Sequence, residues 1–450
     1  MDASVEPTRQ LPPRFWAAAA VFAALALASL DTAIANIALP AIAADLKASP
    51  ADVVWVVNVY QIALVTTLLP LGALGEIVGC KRVYLGGLIL FTLASGVCAC
   101  AWSMPSLLVG RTLQGLGAGG IMSVNNALIR FIYPSNQTGR GYGHNALVVA
   151  TAFTLGPTIA SGILSLGAWP WLFAINIPFG IVAVLIGFKT LPQTPRATHS
   201  FDIFGAVLAA GCIGLFVMGI GSAAQGTSPM VAVSEVVAAI LMGWALTRRH
   251  ANHPAPMLPV DLFRKPVFAL STGTAVCAFA VQSLAFVALP FYFEDVLHRS
   301  QVETGFLITP WPLVVGVMAP IAGRLSDRHH AGVLGGAGLA MLAIGMALMA
   351  TLSNDPSVPN IMWRIALCGI GFGFFQAPNM KAIMTSAPPG RAGGASSIVA
   401  TARLIGRTTG VALAGLCFGI AGHGGATLAL ALGAGFAALG SATSFLRLIG

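Results

Sequence analysis

From Phe15 onward the chain alternates between apolar runs of about 20 residues and short polar breaks. A run of that length crosses a ~30 Å hydrocarbon layer as a helix and satisfies its own backbone hydrogen bonds there. The pattern predicts fourteen helices, at 15–40, 53–74, 83–102, 105–130, 142–165, 171–189, 203–222, 230–246, 267–291, 304–323, 332–351, 360–381, 394–419 and 425–446. The expected class is therefore an all-α polytopic membrane protein. The first run is longer than the apolar core of a signal peptide, and no small-residue cleavage site ends it, so it is expected to remain as helix one.

Composition agrees with the pattern: 57% of residues are hydrophobic and 8% charged, against about 25% charged in soluble domains. The net charge of +9 does not mark a nucleic-acid partner, because its basic residues are spread over many short loops. Of the 23 lysines and arginines, all but six fall on loops of one side, among them Lys81, Arg82, Arg248, Arg249, Lys265, Arg324 and Arg328. Lys47 and Arg299 fall on the other side; Arg111, Arg364, Arg403 and Arg407 fall inside spans. Cytoplasmic loops retain positive charge, so an even number of spans with both termini cytoplasmic is expected. Seven cysteines, mostly inside apolar runs, suggest neither a disulfide framework nor a metal site.

A weak internal repeat runs through the chain. "GALGEIVGCKR" (72–82) after span two is echoed by "GRLSDR" (323–328) after span ten, and "RTLQGLGAGG" (111–120) in span four by "RIALCGIGFG" (364–373) in span twelve. Such repeats mark transporters built from duplicated bundles. Eight spans separate each pair, so two extra helices are expected between two six-helix bundles. The division is a first bundle at 1–190, an inserted helix pair with its linkers at 191–259, and a second bundle at 260–450.

"RTLQGLGAGG" also fits the G-x-G-x-x-G spacing of a dinucleotide cradle, but no strand precedes it, and the cradle needs a strand-to-helix turn. Its glycines suit close helix packing. Arg111 is different in kind, because an arginine at membrane depth is costly and faces a partner or a wet cavity.

These motifs resemble the major facilitator superfamily, specifically its fourteen-helix drug:proton antiporter branch. "LDTAIANIALP" (30–40) looks like that branch's signature in helix one, and "GALGEIVGCKR" is similar to the superfamily's loop motif, with Glu76 where aspartate is usual. "RTLQGLGAGG" is similar to the helix-four motif, "LGPTIASG" (155–162) to the Gly-Pro antiporter motif of helix five, and "WPWLFAINIPFG" (169–180) to the lead-in to helix six. The resemblance implies two six-helix bundles plus two inserted helices. It also implies an exporter driven by the proton gradient without a cofactor, monomeric, in a bacterial inner membrane. Gly72, Glu76, Gly79, Arg82, Gly156, Pro157 and Asp327 become conformational-motif residues, with Glu76 and Asp327 making charge contacts between the halves.

Only Asp31 and Glu235 among the 14 acidic residues lie well inside spans. At ~1.5 Å rise per residue, Asp31 lies ~24 Å along helix one and Arg111 ~9 Å below the opposite surface, similar depths in a ~30 Å core. Asp31 is the candidate proton site, loading and releasing a proton as its burial and the proximity of Arg111 change. A static ion pair orienting the two helices is the alternative. Glu235, in an inserted helix, is either a second coupling site or a residue paired within the insert. Candidate cavity residues share helical faces: Trp55, Asn58 and Gln61; Gln282 and Phe286; Gln376 and Asn379. Aromatic surface with few fixed polar groups suits amphipathic or cationic organic compounds. Lys381 is expected to snorkel.

Three functions are therefore in view: a proton-coupled multidrug exporter, a facilitator-fold exporter of a defined metabolite such as an amino acid or siderophore, and a non-transporting membrane protein. The chain offers the last no nucleotide motif and no catalytic cluster of histidines, cysteines or carboxylates.

Overall fold

The computed structural model describes residues 14–48, 53, 55–198, 200–224, 228–249, 260–299, 301–353, 356–421 and 424–448. Among them no strand occurs. The long helices are α1 (Arg14–Asp45), α2 (Trp55–Val78), α3 (Cys80–Ala99), α4 (Met104–Ile132), α5 (Thr138–Leu166), α6 (Asn176–Thr190), α7 (Ile203–Ala224), α8 (Pro229–Arg249), α9 (Pro266–Phe291), α10 (Pro310–Leu325), α11 (Ala331–Ala350), α12 (Val358–Ser386), α13 (Ala392–Ala421) and α14 (Gly425–Leu446). Ten helical stretches are long and apolar enough to cross a membrane. The remaining long helices are α4, α5, α7 and α13. Of these α4, α5 and α13 carry polar side chains that face other helices, and the apolar part of α7 is shorter. The chain is a multi-pass, all-helical membrane protein of ten to fourteen apolar helices.

Two of the expected runs are bent. Span ten is split at Thr309 into Gln301–Ile308 and α10, because Pro310 and Pro312 remove amide donors from the ladder. Span six begins as a single turn, Trp171–Ala174, before α6. Beyond Pro290, α9 widens into a π-helical turn over Tyr292–Val296.

Helices before residue 191 and after residue 265 form two packed groups. One core gathers Tyr84, Phe91, Ile121 and Val124; the other gathers Phe279, Leu342, Phe372 and Phe375. The groups meet along two seams, α2 against α13 and α5 against α10. Helices two and ten, and five and thirteen, are eight spans apart, so the repeat carries one seam onto the other. The pair α7 and α8 packs together, with α7 against α2 and α13, on the flank of the first seam. Residues 250–259 of the second linker lie outside the described residues. The first linker folds back: Ala197 donates to the Glu76 carbonyl at 2.7 Å, and Thr194 Oγ1 accepts from the Cys80 amide at 2.8 Å.

The glycines of span four are a packing surface. A Cβ on Gly117 would lie 2.5 Å from the backbone nitrogen of Phe91 in α3, a distance real Cβ atoms do not reach. Gly371 in α12 meets Leu342 of α11 at the same 2.5 Å. Gly86, on the exposed side of α3, has nothing within 4 Å. Gly117→Leu is therefore expected to abolish monodisperse folded protein on size-exclusion chromatography in detergent, while Gly86→Leu elutes as the native chain. Equal elution of both variants would contradict the close α3–α4 contact.

Candidate substrate cavity and buried arginine cluster

The two halves border a central cavity of two adjoining chambers, of about 80 and 430 Å³. The second chamber is of the size of small-molecule sites. Val149, Phe153, Arg403 and Arg407 line both chambers. The first chamber adds Gln61, Asn125, Asn126 and Asn145; the second adds Gln282, Phe286, Trp311, Phe372 and Gln376. Of the sequence-derived cavity candidates, Gln61, Gln282, Phe286 and Gln376 thus face the cavity. Trp55 is 45% exposed near the start of α2, and neither it nor Asn58 lines a chamber. Asn379 is engaged elsewhere: it accepts from Arg447 at 2.8 Å and donates to the Ser271 carbonyl at 3.0 Å.

Beside the first chamber lies the Asp31–Arg111 pair, both groups buried. Arg111 Nη1 donates to Asp31 Oδ2 at 2.6 Å and to Gln114 Oε1 at 2.6 Å, and its Nε donates to the Val56 carbonyl at 2.9 Å. Gln114 Nε2 donates to Asp31 Oδ1 at 2.8 Å and to Ser95 at 2.9 Å, and Asn176 Nδ2 reaches Oδ1 at 3.2 Å. The guanidinium stacks on Tyr60 and Phe173, 4.3 and 5.5 Å from their ring centres. These aromatic faces take up Nη2, which has no hydrogen-bond acceptor. Helix one, helix two, helix four and the bend before α6 are tied together here. Gln114, one turn after Arg111, and Asn176, inside the span-six lead-in, escaped the sequence reading although both sit in quoted motifs. An intramembrane charge needs several polar partners, and that requirement was the signal.

Glu235 is remote from this pair. It accepts from Ser222 of α7 at 2.8 Å, an interaction inside the inserted hairpin. Gly156 packs on α1, where a Cβ would lie 2.5 Å from that of Ala33. The helix is continuous through Pro157, whose side chain lies outside the described residues.

Arg403 and Arg407 went unassigned in the sequence. They sit one turn apart on α13 and rest on aromatic rings, Arg403 5.1 Å from the centre of Phe279 and Arg407 5.6 Å from Phe153. Among the described residues neither has a hydrogen bond or ion pair, and no carboxylate lines either chamber.

Inter-half hydrogen bonds among the described residues cluster at the end of the molecule that carries the lysine- and arginine-rich loops. On one seam Glu76 accepts from the Gly394 amide at 2.7 Å and pairs with Arg391 at 3.5 Å, while Ser397 donates to the Leu68 carbonyl at 2.7 Å. Gly72 allows this approach, since its Cβ would collide with Ser397. On the other seam Asp327 accepts from the amides of Gly139 and Arg140 at 2.9 and 3.3 Å, which are α5 N-terminal donors. Lys381 does not snorkel: it donates to Asp327 at 2.8 Å and to the Ser326 carbonyl at 2.7 Å, since a carboxylate and a carbonyl lie within its reach. Gly79 holds φ +98° at the turn between α2 and α3, a conformation that favours glycine. Arg82 is exposed beside it.

Two repeat-related halves around a central cavity, bonded to each other at one end, define a membrane carrier. The sequence matches the Major Facilitator Superfamily over residues 21–411, and the chain belongs to that family, whose members are transporters and not enzymes. It is 46% identical over 440 residues to the uncharacterized transporter YebQ of Escherichia coli, covering 97% of this chain and 96% of that protein. It is 31% identical to the riboflavin transporter RibZ of Clostridioides difficile, covering 86% and 84%, and 30% identical to the tetracenomycin C resistance and export protein of Streptomyces glaucescens, covering 88% and 74%. The crystal structure of the human organic anion transporter MFSD10 shares the fold, with TM-score 0.70 at 16% identity over 96% of this chain and 100% of that one.

Removing the carboxylate of Asp31 strands a buried guanidinium, which costs ~3–5 kcal/mol. Asp31→Ala is expected to lose that much stability in denaturant unfolding in micelles, and Asp31→Asn distinctly less because it keeps acceptor and packing. Unchanged unfolding of Asp31→Ala would show that Arg111 does not depend on it. At the seams, Glu76→Gln and Asp327→Asn each weaken charge-assisted hydrogen bonds of ~1.5–3 kcal/mol. Spin-label distances across the basic end are expected to shift toward a longer population in both, and an unshifted distribution would remove these residues from the gate.

Proposed function

We propose that this carrier is a proton-coupled exporter of amphipathic organic compounds, multidrug in type, working by alternating access. The carrying observation is the cavity: both halves line it with aromatic and amide side chains, and it lies above a basic end closed by Glu76 and Asp327. The positive-inside rule makes that end cytoplasmic, so all fourteen long helices span, both termini are cytoplasmic, and the conformation is outward-facing. The expected site of action is the bacterial inner membrane, with the protein as a monomer powered by the proton gradient and no cofactor.

Asp31 is the proton site in this reading. It lies one residue from the cavity-lining Thr32 and shares its Oδ2 with Arg111. A rearrangement within the first half that pulls α1 from α4 would trade the guanidinium for a proton, because a carboxylate left in a dry layer without its cation takes one up. Glu235, engaged by Ser222 inside the inserted hairpin, takes no part in coupling in this reading. Relatedness to a named export and resistance protein supports the direction, and relatedness to a riboflavin transporter supports a second reading, transport of one defined metabolite.

The test uses everted membrane vesicles with an imposed pH gradient and a panel of amphipathic compounds of each charge type. Some panel members are expected to collapse the gradient through the wild type. Asp31→Asn is expected to lose that response while retaining substrate exchange, and Glu235→Gln to keep it. Gradient collapse by Asp31→Asn at the wild-type level would end the proton role of Asp31; collapse by no compound at all would end the antiport reading.

A further inference from the structure

We infer that the preferred cargo is an amphipathic organic anion, held by Arg403 and Arg407; the inference rests on the transporter reading above and names its substrate class. The two guanidiniums sit at spacing four on α13, so they project from one face into the same space. Both line both chambers. Like charges one turn apart repel each other, and in a site shielded from water that repulsion is stronger than at a surface. Elsewhere in this chain such a charge has polar partners: Arg111 has Asp31, Lys381 has Asp327, and the buried Arg447 has Ser271, Ser444 and Asn379. Arg403 and Arg407 have only the faces of Phe279 and Phe153, and the buried Nε of Arg403 lacks an acceptor.

The rest of the cavity does not offset them. No carboxylate lines either chamber among the described residues, and Asp31 is occupied by Arg111, Gln114 and Asn176. A cationic compound entering here would meet two positive charges and no negative one. A carboxylate, sulfonate or phosphonate would instead accept from both guanidinium forks, the geometry in which arginine binds oxyanions most strongly. Asn125, Asn126 and Asn145 give the first chamber an amide wall for polar groups on the same molecule. The apolar body of the cargo has a place as well: Phe286 and Trp311, their ring centres 5.5 Å apart, line the second chamber and not the first, and Phe372 lines the same chamber. The site therefore fits an aromatic acid with its anionic group on α13. Expelling such an anion also runs with an inside-negative membrane potential, so charge movement assists export.

The experiment is equilibrium binding to the purified full-length protein in detergent, followed by tryptophan fluorescence and thermal shift. Three probes of nearly one shape and size are used: a naphthoate, the corresponding neutral naphthamide, and the corresponding naphthyl-trimethylammonium cation. The wild type is expected to bind the naphthoate most tightly. Arg403→Gln and Arg407→Gln are each expected to weaken it about tenfold or more, the worth of one charge-assisted contact, and to leave naphthamide binding within about twofold. Arg403→Lys and Arg407→Lys keep the charge without the fork and are expected to recover part of the loss, so a variant that merely misfolds is recognised by losing the naphthamide too. Tighter binding of the cation than of the naphthoate, equal naphthoate binding by wild type and Gln variants, or no naphthoate binding by the folded wild type at millimolar concentration would each overturn the inference. Because nothing is transported in this measurement, a failure of proton coupling in vesicles leaves its outcome untouched, and the reverse holds too.

Discussion

A guanidinium held in hydrocarbon needs an anion, hydrogen-bond acceptors or an aromatic face, and Arg111 is given all three. Asp31 neutralises it, Gln114 and the Val56 carbonyl accept from it, and Tyr60 and Phe173 cover it. The partners come from α1 (Asp31), α2 (Val56 and Tyr60), α4 itself (Gln114) and the bend before α6 (Phe173), so satisfying one side chain fixes the relative placement of these elements. Replacing a buried ionic cluster by apolar residues is often neutral for stability. What the cluster adds is one defined arrangement of these helices.

Arg111 on the one hand, and Arg403 and Arg407 on the other, receive opposite treatments. Arg111 is enclosed among protein partners; Arg403 and Arg407 are left facing a void with only ring faces beneath them. The first arrangement stores a charge inside one half, where only rearrangement of that half releases it. The second leaves charge in the space between halves, where a ligand can complete it. In the proposed cycle Asp31 answers to protons and the two arginines to cargo, so the sign of the cargo is set by the cavity's own charges rather than by Asp31.

Much of this was legible in the sequence because bilayer thickness and backbone hydrogen bonding leave few options: the apolar runs become helices, and the eight-span repeat becomes a pair of seams. Asp31 and Arg111 stood out because charges are rare in apolar runs and their depths coincide. By the same rule Arg403 and Arg407 stood out equally, but without a matching acid they had no visible partner, and their partner in the inferred cycle is not part of the chain. Gln114 and Asn176 were hidden for another reason: amides are common in membrane helices, and only geometry shows which of them face a charge. Asn379 and Gln376 illustrate this within one turn of α12, Gln376 facing the cavity and Asn379 bonded to Arg447. Lys381 read as a snorkelling side chain until the folded chain brought Asp327 to it.

The seams explain how events in the cavity reach the basic end. Ser397 and Gly394, which bond α2 and Glu76, belong to the same helix as Arg403 and Arg407, and lie only two to three turns before them. A ligand that draws the two guanidiniums toward its oxyanion pulls on α13, whose earlier turns form one lock of the closed end. The other lock, Asp327 on the amides of Gly139 and Arg140, lies at the start of α5, the helix that also brings Asn145, Val149 and Phe153 to the cavity. Each lock is therefore continuous through one rigid helix with the cavity wall. Because each lock consists of a few hydrogen bonds, the charge-assisted ones worth ~1.5–3 kcal/mol each, opening of the basic end in the proposed cycle is governed by their sum against the differential binding of cargo to the two states.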